Sequence, residues 1–530
     1  MESTYDIFSE INMIRKKGFL AIMAIFLILL PLSLPSLAQS SSSGKVLKAD
    51  LIFGPDENLD PAYKYTGWYM HEAGIYETLY SLDQDMNLVP TLATGYDQVS
   101  DTEYRIHLKE GVLFHDGTPL DADAVVYSLE RVMDSSNSRH GEYDFIESVK
   151  ADDDLTVTIK TKEAHSPTIS SLVDPLVSIV KPDADLNSTP VGTGPFKFMS
   201  FKKDVSLEVT RNDDYWGEKP KLDGAILFFV TDPMTRAMQL EGGDVDIALG
   251  IPQTEYKNLD EKSGIEVLSA VTLRDNILYL NTKKAPLDNP LVRKAINHAI
   301  DRQEIVDTAL EGVGGVPAIG MFSSDNPWSA NEDINPYEFD TAKAKELLAQ
   351  AGITDIDNDG WLDFQNKPLE FTIKTYTSRS ENKPSAEVVA AQLEKIGIKT
   401  GVEVVESGAF SSDMTDGNYD LALGSFNTGT TGDPDYALAM HFDSTGSYAK
   451  QTGYSNPDVD EWMEKARTTF DQDERGDYCK QVQMQAYEDS PEITLFYLNV
   501  LVGQSEKVDG FVMYPSSEIN FLTPELSLED

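Results

Sequence analysis

Apolar and polar positions change their period along the chain, and these changes predict alternating strands and helices. Residues 45–53 and 205–210 alternate at every second position, as strands with one buried face do. Between residues 225 and 249, two continuous apolar runs flank a helical stretch that begins at Pro233. This strand–helix–strand order is typical of a parallel sheet in an α/β fold.

The second half of the chain repeats this alternation. Short apolar runs at 277–281 and 371–376 predict strands, and Pro290 begins a predicted helix with an apolar stripe. A further predicted helix at 385–396 ends at a glycine. Residues 281–494 are therefore predicted to form a second α/β domain.

A glycine-rich turn interrupts the first half. In residues 191–198, Gly192 and Gly194 can adopt backbone angles that are closed to other residues, Pro195 fixes its own angle, and an alternating strand follows. Residues 83–190 mix short strands with a helix. We therefore expect a small α+β insertion at 83–190, from which the turn returns the chain to the main sheet.

An aromatic-rich stretch follows the first strand. Residues 63–69 are predicted to form a loop, and a helix is predicted at 74–82. Aromatic rings can stack on a ligand while a glycine exposes backbone amides, and packing in the core is the equal alternative. The candidates for ligand contact in this loop are Tyr65, Thr66, Gly67 and Trp68.

The N-terminus has the three parts of a secretory signal. Basic residues 15–17 precede an apolar run at 19–30, and small residues lead to a cleavage point after Ala38. We predict a signal peptide over 1–38, with an uncleaved anchor as the alternative, and a flexible linker over 39–44. The protein is expected in the periplasm or at the outer face of the cytoplasmic membrane. Because no cysteine lies near the N-terminus, a lipoprotein is not expected.

Composition excludes several classes of function. The chain has 530 residues and a formal net charge of −46, which excludes a polyanionic nucleic acid as a partner. Cys479 is the one cysteine, so an intramolecular disulfide and a cysteine-based zinc site are excluded. The acidic surface is expected to be solvated, and a site for cations is the alternative.

One acidic stretch has the spacing of a calcium-binding loop. Gly360 stands where such a loop turns sharply, and acids precede and follow it at the ligand positions. Asn366 replaces the glutamate that usually completes the set, so a solvated acidic turn is the alternative. No cofactor is required, and the one metal considered is a structural calcium ion. Its candidate ligands are Asp355, Asp357, Asp359 and Asp363.

Several short motifs occur together in one order. They are 76–80 (Tyr-Glu-Thr-Leu-Tyr), 114–120 (Phe-His-Asp-Gly-Thr-Pro-Leu), 191–196 (Val-Gly-Thr-Gly-Pro-Phe), 212–216 (Asn-Asp-Asp-Tyr-Trp), 280–282 (Leu-Asn-Thr), 290–299, and 432–435 (Gly-Asp-Pro-Asp). With these motifs the chain resembles, from about residue 45 to the C-terminus, the solute-binding proteins of ABC importers that carry peptides, dipeptides or nickel chelates. Each motif alone is modest, whereas their shared order is specific.

This resemblance implies an α/β fold like that of the periplasmic binding proteins, with two lobes that clamp a ligand. Lobe I would comprise 45–280 with the insertion at 83–190, lobe II would comprise 281–494, and 495–530 would return to lobe I. The two hinge crossovers would lie near 279–282 and 495–499. Such a clamp stays closed only through the higher affinity of its closed state for the ligand.

The resemblance also implies a function and partners. The chain would capture di- or oligopeptides outside the membrane and deliver them, as a monomer, to an ABC permease. It would not be an enzyme. Nickel-chelate import and presentation of a ligand to a sensor protein are the alternatives. A secreted hydrolase is the rival class, but the chain has no Gly-x-Ser-x-Gly and no His-Glu-x-x-His motif.

Candidate ligand contacts carry over from the resemblance by position. In dipeptide-binding relatives a loop after the first strand supplies backbone and hydroxyl contacts, which corresponds here to residues 65–67. A basic residue that opens a helix holds the peptide carboxylate, and the match is Lys383, with Arg379 and Ser385 beside it. The loop before the Gly-Asp-Pro motif supplies Phe426, Asn427, Thr428, Gly429 and Thr430.

Thr430 departs from the family pattern. In relatives an acid at this place holds the peptide amine, and a buried ammonium needs an anionic partner that threonine cannot supply. Asp433 and Asp435 are the nearby substitutes, although in relatives these acids look structural. A free dipeptide is therefore disfavoured, whereas a longer or blocked peptide, or a chelated metal, is compatible with Thr430.

A nickel chelate would be held by other residues. Nickel-binding relatives use arginine, histidine and aromatic contacts, and His441 lies just beyond the Gly-Asp-Pro loop. Trp68 and Phe426 are the aromatic candidates. Because a lone histidine is weak evidence, a structural position for His441 is the alternative.

Overall fold

The computed structural model describes residues 44–515 and 521–529. The predicted signal peptide at 1–38 and all but the last residue of the predicted linker at 39–44 lie outside the described residues. Among the helices of the described part, none combines the length and the apolar character that a membrane span requires.

The α-helices have the following bounds. They are α1 (Thr66–Glu72), α2 (Ala122–Met133), α3 (Pro233–Gly242), α4 (Tyr256–Asp260), α5 (Pro290–Ala299), α6 (Arg302–Ala309), α7 (Thr341–Gln350), α8 (Asn382–Lys395), α9 (Ser407–Asp416), α10 (Pro434–Phe442), α11 (Ser447–Thr452), α12 (Pro457–Thr468) and α13 (Gln472–Asp489). Several begin as the sequence predicts. In α5, the Asn289 side chain accepts a hydrogen bond from the Leu291 N–H, and Pro290 occupies the first turn.

The β-strands have the following bounds. They are β1 (Val46–Leu51), β2 (Tyr80–Leu82), β3 (Leu88–Pro90), β4 (Ala93–Ser100), β5 (Glu103–Leu108), β6 (Ile146–Asp153), β7 (Thr156–Thr161), β8 (Phe196–Lys202), β9 (Ser206–Arg211), β10 (Gly224–Phe229), β11 (Ile247–Leu249), β12 (Ile265–Leu280), β13 (Gly315–Pro317), β14 (Asp363–Phe364), β15 (Lys367–Pro368), β16 (Glu370–Tyr376), β17 (Lys399–Val405), β18 (Leu421–Asn427), β19 (Glu492–Ser505), β20 (Val508–Asp509) and β21 (Ser527–Leu528).

The main sheet has 11 strands in the order β17-β16-β18-β12-β19-β11-β1-β10-β9-β8, with β13 beside β19. Strand β1 pairs in parallel with both β10 and β11, which α3 connects. Strand β16 pairs in parallel with β17 and β18. These parallel groups with connecting helices confirm the predicted α/β class.

Two long neighbouring strands, β12 and β19, join the halves of this sheet. Strand β19 pairs with β11 toward one end, and β12 pairs with β18 toward the other. Their mutual register is irregular between Val271 and Asp275, opposite Asn499 and Tyr497. We call the part with β1 and β8–β11 the first lobe and the part with β16–β18 the second lobe. The irregularity precedes the crossover predicted at 279–282, and the lobe boundaries at 280 and 494 stay predictions.

A separate antiparallel sheet lies within residues 83–190. Its strand order is β4-β5-β7-β6, and α2 packs against it. This region has its own buried core, which includes Ile106, Val125, Leu129, Val157 and Ile159. The arrangement is what an α+β insertion requires, because a second sheet needs its own apolar face to bury.

The turn at 191–198 returns the chain to the main sheet, where Phe196 begins β8. A Cβ on Gly192 would lie 2.0 Å from the carbonyl oxygen of Ile75, and a Cβ on Gly194 would lie 2.2 Å from that of Gly74. The two glycines are therefore needed for a close approach of two backbone segments.

Two predictions near the first strand are wrong. The predicted loop at 63–69 contains the start of α1, and the predicted helix at 74–82 is replaced by a short loop and strand β2. Gly74 has φ +64°, which ends the helical path just after α1. The helix thus lies earlier in the chain than predicted, and the candidates Thr66, Gly67 and Trp68 are part of it.

Candidate functional site

The two lobes face each other across a cavity of about 150 Å³. From the first lobe it is lined by residues that follow β1, β10 and β11, and from the second by residues 377–381, which follow β16. Residues 498–501 of β19 form the part that both lobes share. Ligands of open parallel sheets bind beyond the carboxyl ends of the strands, so this cleft is the candidate functional site.

Arg379 is the predicted site residue that lines this cavity. Its guanidinium lies 5.5 Å from the centre of the Phe53 ring in the first lobe, a cation–π contact across the cleft. Beside it, an oxygen of Glu381 and the amide oxygen of Asn499 are buried and accept no hydrogen bond from the described residues. The cleft therefore presents a cation and two acceptor oxygens to whatever fills it.

Arg236 and Asp50 form the buried wall on the first-lobe side. The Arg236 guanidinium donates hydrogen bonds to the carbonyl oxygens of Val230, Leu249 and Gly250, and burial lowers its pKa to about 10. Asp50 is 0% exposed, and neither of its oxygens has a partner in the described part. Burial raises the pKa of Asp50 to about 7, although the charge of Arg236 opposes this shift. Sequence patterns alone gave no signal for this pair.

Lys383, the predicted carboxylate ligand, does not line the cavity. Its side chain is 61% exposed and lies 3.7 Å from Glu387, one turn later on the outer face of α8. Ser385 lies on the inner face, fully buried, with a hydroxyl that has no partner among the described residues. The helix phase thus turns Ser385 inward and Lys383 to solvent.

Residues 65–68 lie at the start of α1. The Tyr65 ring is 55% exposed, and the Arg139 guanidinium lies 4.9 Å from its centre. Thr66 donates a hydrogen bond through Oγ1 to the carbonyl of Asn58. A Cβ on Gly67 would lie 2.4 Å from a backbone carbonyl, so this glycine allows close packing. The indole N–H of Trp68 is buried without a partner in the described part.

Arg139 is a site candidate that the sequence motifs did not reveal. It is buried and donates hydrogen bonds to Asp174 at 2.7 Å and to Glu142 at 2.6 Å and 2.8 Å. Burial alone would lower its pKa, but the two carboxylates raise it well above the ordinary arginine value. Arg139 therefore stays charged and fixes the ring of Tyr65.

The loop after β18 contains residues 426–430. Phe426 stacks on Tyr436 at 5.9 Å. Asn427 accepts a hydrogen bond from the Gly429 N–H, and Thr428 donates through Oγ1 to the carbonyl of Leu273. A Cβ on Gly429 would lie 2.1 Å from the Leu273 side chain. These contacts hold the loop against β12.

Thr430 is 1% exposed, and its hydroxyl has no hydrogen-bond partner among the described residues. The two nearby acids are already paired. Arg475 binds both oxygens of Asp433 at 2.5 Å and 2.7 Å, and Arg467 binds Asp435 at 2.8 Å. Neither acid is left as an open partner for a ligand amine.

His441 is buried in the second lobe. Its Nδ1 lies 2.8 Å from a carboxylate oxygen of Glu492, and its ring stacks on Tyr448 at 4.3 Å and meets Phe426 edge to face at 4.4 Å. Its Nε2 has no partner in the described part. The contacts describe a packed core histidine, and its role as a nickel ligand stays a prediction.

The acidic loop brings three of its four candidate ligands together. One oxygen each of Asp355, Asp357 and Asp363 lies within 4.8 Å of the others. Asp359 lies outside this group, and its carboxylate accepts a hydrogen bond from the Trp361 N–H. Oxygens bound to one calcium ion at 2.3–2.6 Å are separated by at most about 5 Å, so the three carboxylates fit this ion.

The chain matches a known family model and is similar in sequence to characterised proteins. A model of the bacterial extracellular solute-binding proteins, family 5 Middle, matches residues 87–449. The glutathione-binding protein GsiB of Salmonella paratyphi A is 30% identical over 463 residues, which is 84% of this chain and 88% of that protein.

Solved structures show the same fold. The oligopeptide-binding protein AppA from Bacillus subtilis, in complex with a nonapeptide, has a TM-score of 0.80 and 25% identity, over 92% of this chain and 99% of that chain. NikA from Staphylococcus aureus, in complex with Ni(L-His)2, has a TM-score of 0.79 and 26% identity, over 92% of this chain and 100% of that chain.

Proposed function

The chain belongs to the bacterial extracellular solute-binding proteins of family 5, and on that premise we propose that it captures peptides between its lobes and delivers them to the permease of an ABC importer. Family 5 proteins bind solutes for transporters, and the chain has neither the Gly-x-Ser-x-Gly nor the His-Glu-x-x-His motif of secreted hydrolases. Similarity to GsiB and AppA supports a peptide ligand.

The chemistry of the cleft carries this proposal. Glu381 and Asn499 offer buried acceptor oxygens, and a peptide backbone supplies N–H donors that need such partners. Arg379 offers a guanidinium, which suits a peptide carboxylate through paired hydrogen bonds. Arg379 thus takes the role that family position assigns to the exposed Lys383.

A nickel chelate is the second candidate ligand. The similarity to NikA and the aromatic cluster of Phe426, Tyr436 and Tyr448 favour it. Against it, Nδ1 of His441 is held by Glu492 inside the second lobe. Presentation of the liganded clamp to a sensor protein would use the same closed state.

We infer the location of the protein from its family. Family 5 proteins are extracellular, and export through the predicted signal peptide is part of the proposal. We further propose a monomer that is not anchored by lipid.

Native mass spectrometry of the purified protein, combined with metal analysis, tests the proposal. We expect co-purified peptides and less than one nickel atom per molecule. If the protein instead carries one nickel atom per molecule with a small chelator and no peptide, the ligand is a nickel chelate and the peptide proposal is wrong.

A further inference from the structure

The cleft between the lobes is small for a peptide. Its volume is about 150 Å³, whereas pockets that enclose whole drug-sized ligands measure about 300–1,000 Å³. Because one water molecule takes about 30 Å³ of the liquid, the cleft has room for about five groups of that size. This room matches the nitrogen, the α-carbon and the carboxylate of a single amino acid. The rest of a longer ligand must therefore lie outside the cleft.

Glu381 is a buried acid of this cleft that has no basic partner in the described part of the chain. It lines the cavity and is 5% exposed. Its Oε1 is buried and accepts no hydrogen bond from the described residues, and its Oε2 lies 3.4 Å from the Ser380 hydroxyl. No lysine, arginine or histidine among the described residues forms an ion pair with it. A buried carboxylate is costly unless a cation pairs with it, so Glu381 requires a cation from the ligand.

Asn499 adds a second acceptor whose orientation is fixed. Its Nδ2 donates a hydrogen bond to the carbonyl of Val313 at 2.9 Å, and its Oδ1 is buried without a partner in the described part. Asn499 and Glu381 line the same cavity. A peptide N–H donates one hydrogen bond, whereas an ammonium group donates three. An ammonium group is therefore the donor that satisfies both acceptors at once.

Two guanidinium groups favour a negative charge in the same cavity, which Arg236 and Arg379 both line. Three nitrogens of Arg236 each donate to a backbone carbonyl, so its charge is its main contribution to the cleft. Burial lowers the pKa of Arg236, the charge of Arg379 lowers it further, and the charge of Glu381 opposes this shift. These three charges thus act on one another across the cavity, and a carboxylate between the guanidinium groups is stabilised by both.

An ordinary peptide brings one of these charged groups to the cleft and not both. Its ammonium and carboxylate groups stand at opposite ends of the chain, and even in a dipeptide a peptide unit separates them. A carboxyl-terminal residue at Arg379 would offer Glu381 one neutral N–H, which leaves this acid without a cation. When an amino acid is joined through its side chain, both charged groups stay on one α-carbon.

We propose that the cleft binds a free α-amino acid head group, with its ammonium at Glu381 and Asn499 and its carboxylate at Arg379. The ligand class is a peptide joined through a side chain, for example at the ε-nitrogen of a lysine. This inference rests on the proposed peptide-binding function and specifies its substrate. It also gives the ligand's ammonium group an anionic partner, which Thr430 cannot supply at the place where relatives have an acid.

Calorimetric titration with two isomers tests this inference. Nε-(L-alanyl)-L-lysine keeps the ammonium and the carboxylate on one α-carbon, whereas L-alanyl-L-lysine carries the same charges on an ordinary peptide. We expect the ε-linked isomer to bind at least about tenfold more tightly, because Glu381, Asn499 and Arg379 gain partners together. Trialanine is the third probe, and it measures capture of ordinary peptides.

The variant Glu381→Gln should weaken binding of the ε-linked isomer about tenfold or more, because it removes the anionic partner of a buried ammonium group. It should change the affinity for L-alanyl-L-lysine by no more than about twofold. Glu387→Gln is the matched control, since Glu387 lies on α8, is 58% exposed and does not line the cavity. This control should bind all three probes as the unmodified protein does.

The outcomes separate the inference from the proposed function. If the two isomers bind equally tightly, or if Glu381→Gln binds the ε-linked isomer as tightly as Glu387→Gln does, the assignment of the head group is wrong. Binding of L-alanyl-L-lysine or trialanine in either case leaves peptide capture standing. If no probe binds, peptide capture itself fails and the inference fails with it.

Discussion

Glu77 is a buried carboxylate that joins three of the sequence motifs. It accepts hydrogen bonds from the Thr193 hydroxyl at 2.7 Å, from the Tyr215 hydroxyl at 2.7 Å and from the Trp216 indole at 3.0 Å. Burial raises its pKa, and these three donors oppose the shift. The motifs at 76–80, 191–196 and 212–216 are therefore parts of one hydrogen-bonded cluster, which their order in the sequence did not reveal.

Replacing Glu77 by alanine should lower the free energy of unfolding by roughly 3 kcal/mol, because one buried and two partly buried donors lose their acceptor. Denaturant unfolding monitored by tryptophan fluorescence measures this loss. Glu218→Ala removes an exposed acid a few residues after the same motif and serves as the control. A loss no larger than that of the control would show that the cluster does not stabilise the fold.

Asp50 makes the free energy of unfolding depend on pH, and the direction of this dependence follows from its raised pKa. Its pKa is about 7 in the folded protein and 3.8 as an ordinary side chain, so between these values the folded state binds the proton more strongly. The contribution of Asp50 to the free energy of unfolding is therefore largest below pH 3.8, and it falls as the pH rises to about 7. Its contribution should change by roughly 2–3 kcal/mol between about pH 5 and about pH 8.

The variant Asp50→Asn isolates this contribution from that of the other acids. The difference in unfolding free energy between the variant and the unmodified protein should shift in favour of the variant as the pH rises. A difference that stays constant from about pH 5 to about pH 8 would mean that Asp50 is ionised in the folded state over this range.

We expect different effects on peptide affinity when the neighbouring basic residues Arg379 and Lys383 are each replaced by alanine. Arg379→Ala should weaken binding of a free-carboxylate peptide by about tenfold or more, because it removes a charge that lies in the cleft. Lys383→Ala should change the affinity by no more than about twofold, because its charge is exposed. Calorimetry with one peptide and its C-terminal amide measures both effects. A larger loss for Lys383→Ala would restore the role that family position gives it.

At the scale of elements, the sequence predicted those structures that local chemistry determines. The Asn289–Pro290 start of α5, the strands at 46–51 and 371–376, and the return into β8 all follow from periodicity, capping and glycine. The phase of α8 also decided which candidates are buried, because residues 382, 385 and 386 face inward and 383 faces outward. The sequence did not show this phase, since the helix has no strong apolar stripe in its first turn.

The acidic loop before β14 is the element for which we expect a bound metal. Calcium should raise the melting temperature by roughly 2–4 °C, because it binds the folded loop and not the unfolded chain. The double variant Asp355→Asn and Asp357→Asn should lose this increase, whereas Asp325→Asn, outside the loop, should keep it. Differential scanning calorimetry with calcium or a chelator gives the comparison. Equal melting temperatures under both conditions would exclude a structural calcium ion.

At the scale of the whole molecule, β12 and β19 determine how the lobes are connected. The sequence predicted a strand at 277–281, but β12 runs from Ile265 to Leu280. Its first part has more exposed positions and mixed polarity, and partner strands that are distant in sequence stabilise it. Side-chain patterns record burial, whereas strand length across a hinge depends on long-range pairing. Arg236, which lines the cleft, and the buried Asp50 and Arg139 were missed for the same reason.

The central claim is that this clamp binds a peptide between its lobes, and isothermal titration calorimetry on protein unfolded and refolded to remove co-purified ligand tests it most directly. Titration with a defined peptide mixture should give saturable binding at one site per molecule, and titration with nickel and L-histidine should give none. Saturable binding of the nickel–histidine complex, with no binding of any peptide, would contradict the claim.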